Sequence, residues 1–171
     1  MNSAWDTIFA TVQQEFSDIP DLEQLTRVVV RLLVAMLLGA LIGYERERSD
    51  SAAGLRTHML VSLGAALFVL APLQAGIDPA DLSRVLQGII SGIGFLGAGA
   101  VLKLKDDGVI RGLTTAAGIW ATAAIGITAG LGLETTAVLS TLLVLIILHV
   151  LFRFSHSIEE RQQQPRDEPD R

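Results

Sequence analysis

Charged side chains that could do chemistry cluster after the first apolar run of the sequence and at the start of the second. Glu45 or Glu47 could help to hold a cation there. Arg56 or His58 could gate the same site. Because Mg²⁺ prefers oxygen ligands and keeps several of its waters, two carboxylates alone make a weak site. The alternative is a salt-bridge network without a ligand, so we assign no cofactor and leave any metal ligands undefined.

The sequence lacks the residue patterns that are typical of an enzyme or of a nucleic-acid-binding protein. It has no Ser, His and Asp arrangement and no basic nucleic-acid patch, and its glycine-rich run 94–99 lies inside an apolar stretch rather than between a strand and a helix. Cysteine is absent, which removes thiolate metal sites and cysteine nucleophiles. His58 and His149 lack a second His or carboxylate four residues away, so neither is assigned to a metal. We predict no enzyme activity and no nucleic-acid partner.

The elements that must position these residues are long apolar stretches. Half of the 171 residues are hydrophobic and 18% are charged, a composition that favours a membrane protein. Apolar runs of about twenty residues can cross a ~30 Å hydrocarbon core. They predict five transmembrane helices, near residues 26–44, 55–75, 85–104, 112–131 and 133–152. Because several of these runs have no polar face, we exclude a soluble bundle and predict an all-α polytopic bundle in the lipid bilayer.

Basic residues predict how the helices cross the membrane. They follow the first, third and fifth spans, as Arg46, Arg48 and Arg56, then Lys103, Lys105 and Arg111, then Arg153, Arg161, Arg166 and Arg171. Loops rich in Lys and Arg stay on the cytoplasmic side. The N-terminus is therefore expected outside and the C-terminus in the cytoplasm.

The two ends of the chain differ in character. Trp5, Ile8, Phe9, Val12 and Phe16 recur at helical spacing within the acidic segment 1–24, which indicates an amphipathic helix on the outer surface. The alternative is a frayed tail. Residues 153–171 are rich in Glu, Arg, Gln and Pro, a composition that predicts a disordered cytoplasmic tail.

The sequence also matches itself when position 38 is aligned with position 96 and the same offset is kept along the chain. This offset aligns Leu38-Gly39-Ala40 with Leu96-Gly97-Ala98, and Gly54-Leu55 with Gly112-Leu113, without a gap. We interpret the match as a duplicated two-helix hairpin. Both hairpins would run in the same direction, related by an axis along the membrane normal.

Glycines recur within the predicted spans, where small residues let helices approach closely. We assign helix packing to Gly39, Gly43, Gly88, Gly92, Gly94, Gly97, Gly99, Gly126 and Gly130. The same faces would suffice for a homo-oligomer, since contacts within and between chains look alike in sequence. Arg31 lies roughly two turns inside the first span, which costs a few kcal/mol unless it pairs, and Glu134, Asp78 or Asp81 could be its partner.

Four ordered motifs carry a family likeness. They are LGALIGYERE at residues 38–47, GLRTH at 54–58, SGIGFLGAG at 91–99 and RGLTTAA at 111–117. Together they resemble the MgtC/SapB family, over residues 27 to about 133. The resemblance implies a bacterial inner-membrane protein, in a family implicated in growth under magnesium limitation and survival in macrophages, with one member linked to the F-type ATP synthase. The chain looks like a short form without the family's soluble C-terminal domain.

The resemblance implies a cluster of functional residues at the cytoplasmic ends of the helices. Together with neighbouring charged residues, this cluster comprises Glu45, Arg46, Glu47, Arg56, Thr57, His58, Arg111, Thr114, Thr115 and Trp120. The resemblance implies an accessory protein of magnesium homeostasis that acts through a membrane partner. The alternatives are a transporter or channel for Mg²⁺ or another ion, with a path past Ser62, Ser91, Thr122 and Thr128, and a module that mainly oligomerises.

Overall fold

The chain folds into helices throughout the part that the structure, a computed structural model, describes, which is residues 3–17, 21–102 and 112–162. In chain order the helices are α1 (Ala4–Glu15), α2 (Leu22–Arg48), α3 (Leu55–Gln74), α4 (Pro79–Leu102), α5 (Leu113–Gly130) and α6 (Glu134–Gln162). The prediction of an all-α helical membrane bundle is confirmed.

Four of the helices are long and apolar enough to cross a membrane: Leu22–Arg48, Leu55–Gln74, Ala80–Val101 and Leu113–Gly130. A further apolar stretch, Glu134–His149, lies in α6. A fifth crossing by α6 stays a prediction. The helix continues through residues 153–162, which belong to the segment predicted to be a disordered tail, and residues 163–171 lie outside the described part.

Helix α5 lies at the centre of the bundle. It packs against α2, α3, α4 and α6, and half of its residues are buried. One apolar core joins α2, α3, α5 and α6 around Ala35, Ile42, Ala66 and Ala129. A second core joins α3, α4 and α5 around Val69 and neighbouring residues. The Ala-rich composition of α5 suits a central helix, since small side chains let neighbours approach from several sides.

Glycines hold α2, α3 and α5 together by direct backbone contact. A Cβ atom at Gly39 would lie 2.6 Å from the His58 carbonyl oxygen of α3, and one at Gly43 would lie 2.7 Å from the Leu55 Cα. On α5, a Cβ atom at Gly126 would overlap the backbone of Ser62. One at Gly130 would lie 2.8 Å from the Ala66 carbonyl oxygen. Replacing any of these four glycines therefore requires a helix to move.

The glycines of α4 have different surroundings. A Cβ atom at Gly88, Gly92, Gly94 or Gly99 would meet no described atom within 4 Å, and one at Gly97 would make an ordinary 3.6 Å contact with Ala116. Gly88 and Gly92 line an apolar groove between α3 and α4 with a volume of about 630 Å³. Among the described residues of one chain, the tight packing expected at these five glycines is not found, because α4 approaches its neighbours through side chains.

The two hairpins share structural details at the predicted repeat offset. Helices α3 and α5 begin after Gly54 and Gly112, which act as their N-cap residues. Gly39 of α2 faces His58 of α3, and the equivalent positions of the second hairpin, Gly97 and Ala116, also face each other, at a longer distance. These matched contacts support the duplication. Superposition of the two hairpins stays a prediction.

Helix α1 is amphipathic and well capped. Ser3 and Asp6 form a capping box at its start. Its apolar residues are exposed, with Trp5 at 77% and Phe9 at 66%, and none of its residues is buried. An ordered helix favours the amphipathic interpretation over a frayed tail, and the position of α1 on the outer surface stays a prediction.

Candidate functional site

Arg46 forms the centre of a polar cluster at the end of the bundle where α2 finishes and α3 and α5 begin. We call this end the basic end. The Arg46 side chain is 9% exposed. Its Nη2 atom donates to the Ser51 hydroxyl at 3.0 Å and to the Thr115 hydroxyl of α5 at 3.3 Å, and the two hydroxyl oxygens are 2.9 Å apart. Arg46 therefore joins the end of α2, the following turn and the first turn of α5.

A second polar group lies deeper between the same helices. His58 is fully buried, and its Nδ1 atom lies 2.8 Å from the Thr122 hydroxyl. Ser62, one turn further along α3, is also fully buried. The His58 Nε2 atom, the Ser62 hydroxyl and the Arg46 Nε atom have no hydrogen-bond partner within the described part of the chain. Polar atoms thus extend from the basic end into the apolar core.

The two carboxylates proposed to hold a cation contact different partners. Glu47 Oε2 accepts a 2.7 Å hydrogen bond from the backbone N–H of Leu55 at the start of α3. Glu45 Oε1 lies 3.6 Å from the Nδ1 atom of His149 on α6. Glu47 therefore acts locally as a cap for α3. Glu45 faces α6, so the structure does not bring the two carboxylates to one shared partner.

The other nominated residues face outwards. Arg56 and Thr57 on α3, and Thr114 and Trp120 on α5, are exposed, and Arg111 lies outside the described residues. The buried members of the nominated set are Arg46, His58 and Thr115. The set therefore divides into a buried polar group and an outer rim.

At the opposite end, Arg31 interacts with the C-terminal end of α5. Its Nη1 atom donates to the Gly130 carbonyl oxygen at 3.2 Å, and its Nε atom lies 3.9 Å from Glu134, one of three expected partners. A cation is favourable beside the last carbonyl groups of a helix. The guanidinium also packs on Gly132, where the positive φ of 82° and the lack of space both favour glycine.

The ion path considered from the sequence does not follow one face. Ser62 and Thr122 are buried together between α3 and α5, whereas Ser91 is exposed on α4. The Thr128 hydroxyl donates to the Ala124 carbonyl of its own helix at 2.8 Å. These four side chains therefore do not line a common route within the chain.

The place of Ser51 in the Arg46 cluster and the pairing of Thr122 with His58 were not predicted from the sequence. A signal for the second pair was present in the spacing. Residues 115, 118, 122 and 126 recur every three or four positions along α5, which places them on one face, and residues 58 and 62 do the same on α3. These two faces of small and polar residues would meet if their helices were adjacent.

Comparison with known families agrees with the motifs at the basic end and in the spans. The MgtC family matches residues 32–157, which include helices α3 to α5 and most of α2. The chain belongs to the MgtC family. The apolar helices and this membership together establish a multi-pass membrane protein.

Three relatives illustrate the range of the family. The SrpB protein of Synechococcus elongatus is 52% identical over 103 residues, which is 54% of this chain and 57% of SrpB. The MgtC protein of Salmonella typhimurium is 47% identical over 95 residues, covering 55% of this chain and 39% of MgtC. The YhiD protein of Escherichia coli, whose name presents it as a candidate magnesium transporter, is 40% identical over 104 residues, covering 55% and 46%.

The chain thus spans about half the length, or less, of the curated relatives that it matches. No solved structure matches it. The similarity to these relatives therefore extends over the membrane domain and not over the whole of each relative.

Proposed function

We propose that this chain is an inner-membrane protein of magnesium homeostasis that acts on a membrane partner, rather than carrying Mg²⁺ through its own bundle. The magnesium part of the proposal comes from the family resemblance and from the name of the Escherichia coli relative. The choice of an accessory role is supported by one observation, the position of Arg46.

Arg46 puts a positive charge at the entrance to the interface of α2, α3 and α5. Its guanidinium contacts two neutral hydroxyls, those of Ser51 and Thr115. Taken alone, this charge would repel a dication at a distance of ~6 Å by about 5 kcal/mol at an effective dielectric constant of ~20. Because about 1.4 kcal/mol corresponds to a tenfold change in rate, this repulsion would slow passage by roughly a thousandfold or more. The interface is therefore a poor route for Mg²⁺.

The groups beyond Arg46 also suit structure better than ion binding. The interface presents the imidazole of His58 and the hydroxyls of Thr122 and Ser62. Mg²⁺ sites usually combine one or two carboxylates with retained waters. The backbone contacts at Gly39 and Gly126 leave no space beside these groups for a hydrated ion. The side chains of this interface serve to hold three helices in a fixed arrangement.

The experiment combines two measurements on the full chain. Growth at low magnesium is measured in a bacterium that lacks its own family member, and Mg²⁺ entry is measured in liposomes that contain the purified protein and an internal fluorescent indicator. The proposal predicts rescue of growth without flux above that of empty liposomes. Flux above that level would establish the transporter alternative.

Two matched variants separate the effect of the buried charge from that of an exposed charge. Arg46→Gln removes the buried charge, and Arg84→Gln removes an exposed charge that pairs with Asp81 on α4. We expect Arg46→Gln to lose rescue and Arg84→Gln to keep it, with both proteins present in the membrane at the parent level. Flux that appears or increases in Arg46→Gln would show that the chain has an ion path of its own.

A further inference from the structure

We propose that the first turn of α5, with Arg46 behind it, binds the phosphate group of an anionic phospholipid. This inference is independent of the proposed function. It rests on a difference between the two helix starts of the duplicated hairpin, and on the buried charge of Arg46.

The start of α3 shows how this type of helix start is neutralised. The first N–H groups of a helix have no acceptor within the helix and attract negative charge. At α3 the carboxylate of Glu47 accepts from the Leu55 N–H at 2.7 Å. Gly54 has no side chain and leaves space for that carboxylate, because a Cβ atom there would lie 2.7 Å from Glu47 Oε2. The site at α3 is therefore filled from within the chain.

The start of α5 also has a glycine at its N-cap, in a left-handed rather than an extended conformation, and no carboxylate of the described residues caps it. Gly112 is the N-cap residue, has a φ of 94° and contributes no side-chain hydrogen bond. Leu113 and Thr114 in the first turn are exposed. The sequence position that the repeat makes equivalent to Glu47 holds Lys105, a base where the first hairpin has an acid. The second hairpin therefore has no acid at the sequence position that serves the first.

Arg46 adds an independent sign that an anion belongs at this place. Its guanidinium reaches the first turn of α5 through the 3.3 Å hydrogen bond to Thr115. Within the described part of the chain it contacts hydroxyls and no carboxylate, and its buried Nε atom has no partner. The adjacent carboxylate, Glu45, faces His149. A buried cation and the positive end of a helix therefore lie side by side, which favours a bound anion.

The location of the first turn of α5 indicates which anion is available to it. It lies at the end of a membrane-spanning helix, level with the end of α2, where Arg48 stacks over the ring of Tyr44 at 5.8 Å. Tyrosine and arginine side chains commonly anchor spans at headgroup depth. Basic sites between spans at that depth bind anionic headgroups. A phospholipid phosphate is thus the anion that reaches the N–H groups of Leu113 and Thr114 directly.

Lipid titration of the purified full chain in neutral detergent tests the inference. Binding of phosphatidylglycerol is followed by native mass spectrometry, with phosphatidylcholine as the reference lipid and inorganic phosphate as a competitor. We expect Arg46→Gln to weaken phosphatidylglycerol binding at least tenfold. Arg56→Gln, an equal loss of charge in the first turn of α3, should leave binding within twofold, because Glu47 already serves that helix start.

A second pair of variants leaves Arg46 unchanged, so the test does not depend on whether Arg46→Gln folds. Leu113→Glu places a carboxylate in the exposed first turn of α5, and Leu113→Gln has nearly the same size without the charge. The glutamate variant should lose lipid binding and the glutamine variant should retain it. Competition by millimolar phosphate would assign the site to free phosphate instead of lipid. Equal binding of both lipids, or equal loss in Arg46→Gln and Arg56→Gln, would overturn the proposal.

Discussion

The Nδ1 atom of His58 and the hydroxyl oxygen of Thr122 lie 2.8 Å apart, and both side chains are fully buried between α3 and α5. This contact joins residues 64 positions apart in the sequence. Together with the backbone contacts at Gly126 and Gly130, it joins α3 to α5.

Thr122→Val removes the hydroxyl and leaves the His58 ring nitrogen without its partner. We expect the variant to lose about 1 to 2 kcal/mol of unfolding free energy, measured by denaturation in detergent. Thr128→Val is the control, because the Thr128 hydroxyl bonds to its own helix, and it should lose less than about 0.5 kcal/mol. Equal losses in the two variants would mean that the His58 contact contributes nothing specific.

Gly126→Ala places a methyl group against the backbone of Ser62. Because neither backbone can yield without moving a helix, we expect a loss of about 3 kcal/mol in unfolding free energy or a failure to assemble. Gly92→Ala is the matched change on α4, where the added atom meets open space. It should change the unfolding free energy by less than about 0.5 kcal/mol, as substitutions without new contacts usually do. A large decrease in the thermal stability of Gly92→Ala would reveal a contact between Gly92 and a second chain.

Arg31→Met removes the cation that bonds to the end of α5 and faces Glu134. We expect this variant to lose about 1 to 2 kcal/mol, because the Gly130 carbonyl and the carboxylate both lose a partner. Arg27→Met breaks an exposed pair with Glu23 one turn earlier and should cost less than about 0.5 kcal/mol. Chemical unfolding of the two variants side by side separates the contributions.

The proposed orientation can be measured by labelling, because the chain has no cysteine. Ser17→Cys and Thr57→Cys place single thiols at exposed positions on either side of α2. With the N-terminus outside, an impermeant maleimide should label Ser17→Cys in intact spheroplasts and Thr57→Cys only after lysis. The reverse pattern would invert the topology.

The sequence was sufficient to predict four long apolar helices and the helix starts of the hairpins. Long apolar runs specify membrane helices because lipid offers no partner to a polar backbone. The internal repeat anticipated that Gly54 and Gly112 precede equivalent helices. The partner of Arg31 was also among the carboxylates considered, since few lie on that side of the bundle.

The sequence could not show which glycines touch a neighbour. Gly92 and Gly126 have similar surroundings in the sequence, but one faces a groove and the other faces the backbone of α3. The difference depends on the rotation and crossing of whole helices, which residue spacing alone does not specify. For the same reason Arg46, Arg56 and Thr115 were placed at one end together, although burial separates Arg56 from the other two.

The backbone contacts at Gly39, Gly126 and Gly130 have an electrical consequence. A gap too small for a methyl group is also too small for a file of water molecules, and without such a file protons have no chain along which to move. These three contacts should therefore interrupt any file of water between α2, α3 and α5. A cell could hold many copies in an energised membrane without leaking its proton gradient through them.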